Sequence, residues 1–315
     1  MWISRSAFGK SRHHHGANKR CSFLILMGSW RWKGVILSVC RSSCRHTEES
    51  HKLLMWLITI GVLVGAACTL GVLWLGIPLT LRIMQSRALI SRCGHDQLIA
   101  LTFDDGPTPE LTPRVLDLLD ELDVKATFFM IGQRVRSHPE IAREVLKRGH
   151  EVAAHSMKHL NSWQVGPLRG IRDVSEGISV MNEQSLSPSL FRPPRGRATL
   201  GTVFQALRCG CRPFWWTHDS GDSGFTAGRS KLSLRRFIKH GRHSPLTEQQ
   251  IEGMLQSSTG TDWIDEVSEQ GGVVLFHDAP GDQPSLVELT MSATRELVLN
   301  ARERGIRFVV ASELR

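Results

Sequence analysis

The sequence predicts an α/β protein built as a (β/α) barrel and preceded by one membrane-spanning helix. Three observations carry that expectation: a charge-free apolar run near the N-terminus, short β-rich segments alternating with helical patterns over residues 97–315, and polar residues gathered where those strand segments end.

Taken in chain order, residues 1–52 hold ten Lys/Arg against two acidic residues and show no apolar period. A basic tail is expected there, disordered or outside the translated chain, with Met27 and Met55 as later candidate starts. The His13–His15 run reads as part of that solvated tail. Residues 53–81, LLMWLITIGVLVGAACTLGVLWLGIPLTL, contain no charge over 29 positions. About 20 apolar residues cross a bilayer as a helix, and a soluble surface helix would keep a polar face. A single transmembrane helix is therefore expected, with Pro78 as a kink or end and Trp56 and Trp74 near the interfaces. The stretch Gly65-Ala66-Ala67-Cys68 resembles a cleavage site, but the apolar run continues past it, which favours an uncleaved anchor. The basic tail favours a cytoplasmic N-terminus and an extracytoplasmic C-terminal domain; Arg82, Arg87 and Arg92 pull the other way. Residues 82–96 read as a linker.

Strand candidates then fall at 98–103, 126–131, 151–154, 190–192, 213–217, 272–276 and 306–311. Helical patterns lie between them at 109–123, 139–148, 167–184, 200–207 and 285–304. Leu111, Val115, Leu118, Leu119 and Leu122 make the apolar stripe of the first; Gly149 is placed to end the second. Such alternation implies a parallel sheet. Its repetition within residues 97–315 favours a barrel over an open doubly wound sheet. Neither a G-x-G-x-x-G fingerprint nor a P-loop is present, which counts against a nucleotide site. An insertion at about 223–260 breaks the rhythm. Its basic cluster (Arg235, Arg236, Lys239, His240, Arg242, His243) reads as a solvated surface or as a contact for an acidic polymer or lipid headgroups.

The net charge of +9 sits almost wholly in residues 1–52, and the rest of the chain carries 29 basic against 28 acidic residues. No nucleic-acid face is expected. Seven scattered cysteines do not form a disulfide framework, and Cys209-x-Cys211 is too short for the usual C-x-x-C spacing.

Asp104 and Asp105 follow the first strand segment. His155 and His159 follow the third, Arg192 ends the fourth, Asp219 and Asp222 follow the fifth, and His277 and Asp278 the sixth. In a (β/α) barrel the C-terminal strand ends converge on the face that carries active sites. In HSMKH the two histidines stand at i and i+4, so a helical turn would put both rings on one face. That spacing suits zinc, and a carboxylate from another strand end would complete a two-His, one-Asp set with open positions. One of the paired aspartates would bind the metal, while the other takes a proton from a water whose pKa the ion has lowered. Arg192 would hold that second carboxylate ionised. His277, from the opposite side of the barrel mouth, would protonate the leaving group, with Asp222 or Asp219 orienting it. The plainer readings are an N-cap aspartate ahead of Pro109, a surface Arg192 and a core His277; each accounts for one residue and none for the gathering.

TFDDGP (102–107), KATFFMIG (125–132), GHEVAAHSMKH (149–159), RPPRG (192–196), WTHDSGD (216–222), VVLFHDA (273–279) and RGIRFVVASEL (304–314) follow one another in a distinctive order. Together, over residues 97–314, they resemble the NodB-like polysaccharide deacetylases, carbohydrate esterases acting on N-acetylated sugars. The resemblance implies a distorted (β/α)7-type barrel and a divalent metal, most often zinc. It assigns Asp104 as the general base, with Asp105, His155 and His159 as metal ligands and Arg192 as the tether of the base. The backbone N–H of Arg195 would serve the oxyanion, and His277 would be the general acid, positioned by Asp222. Pro194 and Trp216 are expected against the substrate. Arg195 replaces a frequent Tyr, and Ser223 a common Trp.

The expected function is a membrane-anchored, metal-dependent hydrolase that removes N-acetyl or O-acetyl groups from a cell-envelope glycan such as peptidoglycan or a chitin-like polymer. A deacylase or deformylase of a lipid-linked sugar and a non-catalytic saccharide-binding barrel are the alternatives.

Overall fold

The computed structural model describes residues 30–222, 228–229, 262–279 and 284–314. The basic cluster of the expected insertion, Ser223 and residues 1–29 lie outside the described residues. The chain divides into two compact units, Met1–Cys68 and Thr69–Arg315.

Helix α1 (Trp30–Asp96) runs without interruption through Pro78. In the first unit its side chains from Glu49 to Cys68 are exposed, and the helix is long and apolar enough to cross a membrane, with a mean hydropathy of 2.3 over an 18-residue stretch. In the second unit it packs as part of the folded domain. Residues 82–96, expected as a linker, are helical, and Arg82, Ser86, Leu89 and Cys93 are buried. Their spacing of three or four residues forms one helix face. The end of continuous apolarity marks a change from all-round exposure to one-sided burial, not the end of the helix.

Nine strands form one sheet among the described residues: β1 (Leu98–Asp104), β2 (Thr127–Met130), β3 (Glu151–Ala154), β4 (Leu190–Phe191), β5 (Arg212–Pro213), β6 (His218–Asp219), β7 (Gly228–Arg229), β8 (Gly272–His277) and β9 (Arg307–Phe308). Their order is β5-β4-β3-β2-β1-β8-β6-β7, with β9 paired to the start of β1. Every pairing is parallel except β6 with β7. The crossovers carry α2 (Thr112–Glu121), α3 (Gly132–Ser137), α4 (Pro139–Lys147), α5 (Pro167–Glu183), α6 (Leu200–Arg208), α7 (Asp262–Gln270) and α8 (Pro284–Glu303). This is the expected α/β architecture, as a distorted half-barrel open between its edge strands β5 and β7. The predicted strand at 306–311 shortens to Arg307–Phe308, with a helical turn at Ala311–Glu313, and the one at 213–217 changes most. At this seam the chain leaves β5, crosses inward through Phe214, Trp215 and Trp216, and resumes at β6 beside β8. The apolar run there is buried as an irregular segment.

Side chains alternate along each strand between two cores. Ile99, Leu101 and Phe103 of β1, with Phe128 and Phe276, face the helices, and Phe103 stacks on both neighbouring rings. Ala100, Phe129, Ala153, Leu190, Val273 and Leu275 face the barrel interior, where Leu89 and Cys93 of α1 join them. The helix also covers the open seam. Gln85 Nε2 donates to the Pro213 carbonyl at 3.0 Å, and Gln85 Oε1 accepts from Trp215 N at 2.9 Å. A side-chain amide thereby stands in for the neighbouring strand that the β5 edge lacks.

Candidate active site and metal centre

The same alternation aims the chemistry. Counting in twos from the interior residues, Ala100 leads to Thr102 and Asp104, Ala153 to His155, Leu190 to Arg192, and Val273 to His277. Four polar residues from four strand ends thus share the interior face at the C-terminal rim. Asp104 and His277 are direct register partners on adjacent strands.

Asp105 ought to point the other way. Its φ of +77° breaks the strand; αL is a conformation that aspartate tolerates better than most residues. The carboxylate Oδ1 comes to 3.5 Å from His155 Nε2 and 3.4 Å from His159 Nε2. The next turn is held by Asp278, which accepts from Gly106 N at 2.8 Å and Thr112 Oγ1 at 2.6 Å. Arg134 donates to the Asp105 carbonyl at 2.8 Å.

The HSMKH segment is not helical. It is a loop with positive φ at Ser156 and His159, of +64° and +55°, so the rings meet by loop geometry and not by helix period. Their centroids lie 5.0 Å apart. His155 Nδ1 donates to the Arg192 carbonyl at 2.8 Å, which fixes the tautomer and leaves Nε2 as a lone-pair donor. Asp173 of α5 holds the loop, accepting from Lys158 N at 2.9 Å while its own carbonyl receives Met157 N. Gly177 lets α5 approach this closely, since a Cβ there would stand 2.6 Å from Met157 N.

Arg192 is fully buried and donates Nη1 to Asp104 Oδ1 at 2.6 Å and to Thr102 Oγ1 at 2.8 Å. Its guanidinium stacks on Phe129 with the centroid at 3.9 Å. Trp216, expected against the substrate, is only 8% exposed and lies between Arg192 and Arg82, 5.6 and 4.7 Å from their guanidinium carbons. It packs beside Arg192 as part of the floor of the site. Pro194 is buried as well, and Arg195 occupies a left-handed turn (φ +57°) with Gly196 behind it. Of the two aspartates weighed for His277, Asp222 is the partner. It accepts from His277 Nδ1 and N at 2.7 Å each and from Thr290 Oγ1 at 2.9 Å. Asp219 accepts from Gly221 N.

These surroundings divide the titrating groups. Burial pushes Asp104 up to about 6, against the pull of Arg192 and His277. Burial acts on Asp105 too, but the facing His159 and His155 outweigh it and hold that carboxyl below its ordinary value. Burial holds His155 and His159 neutral, down to about 4. His277 is the converse: burial would lower it, yet the charge and hydrogen bond of Asp222, with Asp105 and Asp104 beyond, push it up to about 10.

Donor atoms of Asp105, His155 and His159 all lie within 4.8 Å of one another. Asp105 Oδ1 is buried and accepts no hydrogen bond among the described residues. A buried, unpartnered carboxylate oxygen facing two neutral imidazoles fits a divalent cation and is costly without one. Asp278, Asp173, Thr102 and Arg134 are supporting residues that motif reading did not single out for a role. Two signals were visible: Asp278 at a strand end, and Asp173 within the apolar stripe of α5.

A polysaccharide deacetylase family model matches residues 91–214. A peptidoglycan-N-acetylglucosamine deacetylase from Bacillus cereus is 30% identical over 220 residues, covering 70% of this chain and 89% of the relative. A chitooligosaccharide deacetylase from Rhizobium leguminosarum bv. trifolii is 35% identical over 148 residues, or 44% and 68% of the two chains. The crystal structure of a peptidoglycan N-acetylglucosamine deacetylase in complex with an N-oxidanyl-benzamide superimposes with a TM-score of 0.52 at 23% identity, covering 70% of this chain and 89% of that one, a likeness of fold. This chain belongs to the polysaccharide deacetylase family of hydrolases.

Proposed function

We propose that the protein is a membrane-anchored, metal-dependent deacetylase that removes N-acetyl groups from an envelope glycan, peptidoglycan before a chitin-like oligomer. The observation that carries this reading is the separation of two adjacent carboxylates: Asp104 faces Arg192, and Asp105 faces two imidazoles. Asp105, His155 and His159 would hold the divalent ion, with zinc the best match to one carboxylate and two imidazoles. When bound, the ion supplies Lewis acidity, easing deprotonation of water and drawing charge from an acyl oxygen.

The chain's own groups do the rest. Asp104, ionised above about pH 6, accepts the proton of the attacking water while Arg192 keeps the carboxylate aimed. His277, charged at neutral pH, donates to the departing sugar amine. The Arg195 peptide N–H is offered to the oxyanion by the turn at 194–196. The Bacillus cereus relative, matched over 70% of this chain, is named for the N-acetylglucosamine of peptidoglycan, which supports that substrate here. The apolar segment of α1 supports the anchor, and the basic tail supports an extracytoplasmic active site.

The test is acetate release by the full chain in detergent with added zinc, offered peptidoglycan, chitooligosaccharides, acetylxylan or a lipid-linked amino sugar. Acetate from peptidoglycan is expected, abolished in Asp104→Ala with the ion retained. Acetate release by that variant would remove Asp104 as the base. Formate or fatty acid from the lipid-linked sugar alone would replace the substrate. No release from any of them would overturn the catalytic reading.

A further inference from the structure

Helix α6 buries Thr202, Val203 and Ala206 against the domain, as one face of an amphipathic helix should. Its outward face, normally given to charged side chains, carries Phe204 at 59% and Leu207 at 51% exposure. A helix that is apolar on both faces needs a second apolar surrounding. Leu168, in the first turn of α5, is 79% exposed beside the same face.

What adjoins this surface indicates what covers it. Trp74 of α1 packs over Gly201, where a Cβ would stand 2.6 Å from the indole and 2.9 Å from Ile171 Cδ1 of α5. Gly201, Phe204 and Leu207 are three residues apart and follow one face of α6, as Leu168 and Ile171 do on α5. Within the same unit, α1 exposes Leu70, Val72 and Leu73 next to Trp74. An apolar surface therefore passes from α1 through Trp74 onto α6. In the sequence Trp74 lies in the C-terminal part of the charge-free run, a position suited to the membrane–water interface, where indoles concentrate. Under the anchored reading, α6, which Trp74 touches, lies at headgroup depth. The charges agree: Arg169, Arg172 and Arg208 are exposed around this face, and Arg208 stacks over Phe204 with the centroid at 5.9 Å. Basic side chains beside exposed apolar ones are the composition of a surface lying on anionic lipid.

We propose that the α5–α6 face of the catalytic domain rests on the bilayer, with Phe204, Leu207 and Leu168 entering the headgroup layer and Arg169, Arg172 and Arg208 meeting lipid phosphates. This rests on the membrane-anchored reading of α1, and the test separates the two. The full chain is placed in nanodiscs of phosphatidylethanolamine and phosphatidylglycerol, with a photoreactive benzoyl-phenylalanine replacing Phe204, Leu207 or Leu168. Ile60 serves as the position inside the span; Leu146 and Leu299, exposed on α4 and α8, serve as positions away from it. Thermal unfolding of each variant reports that it has folded, and three independent positions guard against one that has not. Lipid adducts at 204, 207 and 168 in yields matching position 60, with only background at 146 and 299, are expected. Adducts at 60 with background at 204, 207 and 168 would overturn the proposal and leave the anchor standing. No adduct at 60 would remove the anchor and the proposal together. Cross-links between two copies of the chain at 204 and 207, in place of lipid, would also overturn it.

Discussion

Replacing Asp222 by Asn tests the acid end of the mechanism at one pair of atoms. Asp222 accepts from both His277 Nδ1 and N at 2.7 Å, and its charge is the main opposition to the burial that would otherwise lower the imidazole. Asn keeps the shape and one acceptor but not the charge. A ring at about 10 is almost wholly protonated at about pH 8, whereas a ring at the ordinary value of about 6.5 is protonated in ~3% of molecules. If His277 donates the leaving-group proton, acetate release by Asp222→Asn falls about thirtyfold at about pH 8 and changes little near pH 6. The alkaline limb of the rate profile moves down by about three and a half pH units. Folding carries the same signature. A raised histidine stabilises the native state fully below about 6.5, and this contribution is lost as pH rises through about 10. The variant's stability should therefore be flatter over that window. The assay is the pH dependence of kcat between about pH 5 and pH 11, with denaturant unfolding at the same values. An alkaline limb that stays in place in Asp222→Asn would refute either the donor role of His277 or the hold of Asp222 upon it.

Arg192→Gln leaves the burial of Asp104 unopposed by its main counter-charge. The acid limb should then move above about 6, and activity near pH 6 should fall about tenfold for every pH unit the limb moves, read from the same profile. The ion should stay bound as pH falls until it nears about 4, where His155 and His159 protonate, and should be lost from His155→Ala, His159→Ala; metal analysis after gel filtration checks both. Gly177→Ala drives a Cβ into the backbone at Ser156 and Met157; a cost of about 1–3 kcal/mol in unfolding and weaker ion binding are expected. Gln85→Ala removes the partner of Trp215 N and Pro213 O at the open seam. A loss of about 1–3 kcal/mol follows, and Gln85→Glu, which keeps only the acceptor, should recover part of it in thermal unfolding.

Much of the site was legible because strand parity is a property of sequence. Once Ala100, Ala153, Leu190 and Val273 are placed inward, Asp104, His155, Arg192 and His277 must follow two or four residues on. The helices at 139–148, 167–184 and 200–207 were legible from their apolar period, and α5 and α6 end within a residue of expectation. The HSMKH loop was not. An i, i+4 pair has the same spacing on a helix and in a turn that happens to close, and only the positive φ at Ser156 and His159 distinguishes them. Residues 82–96 were not legible as a packed helix for a related reason: one-sided burial of a helix depends on what lies beside it.

What the sequence by itself determined is the inventory and its order along the chain: alternating strands and helices, a charge-free span, and two aspartates, two histidines, an arginine and a further histidine at successive strand ends. These are local properties, set by residue type and by periods of two and 3.6. What tertiary structure decided is the division of labour. Adjacent aspartates in a strand should face opposite ways; the left-handed turn at Asp105, followed by a turn that Asp278 holds just after β8, brings both to one site. Likewise Asp222 rather than Asp219 reaches His277, Trp216 packs beside Arg192 and Arg82, and α1 covers the seam at Gln85. Each of these depends on contacts between residues far apart in the chain, which no local period encodes.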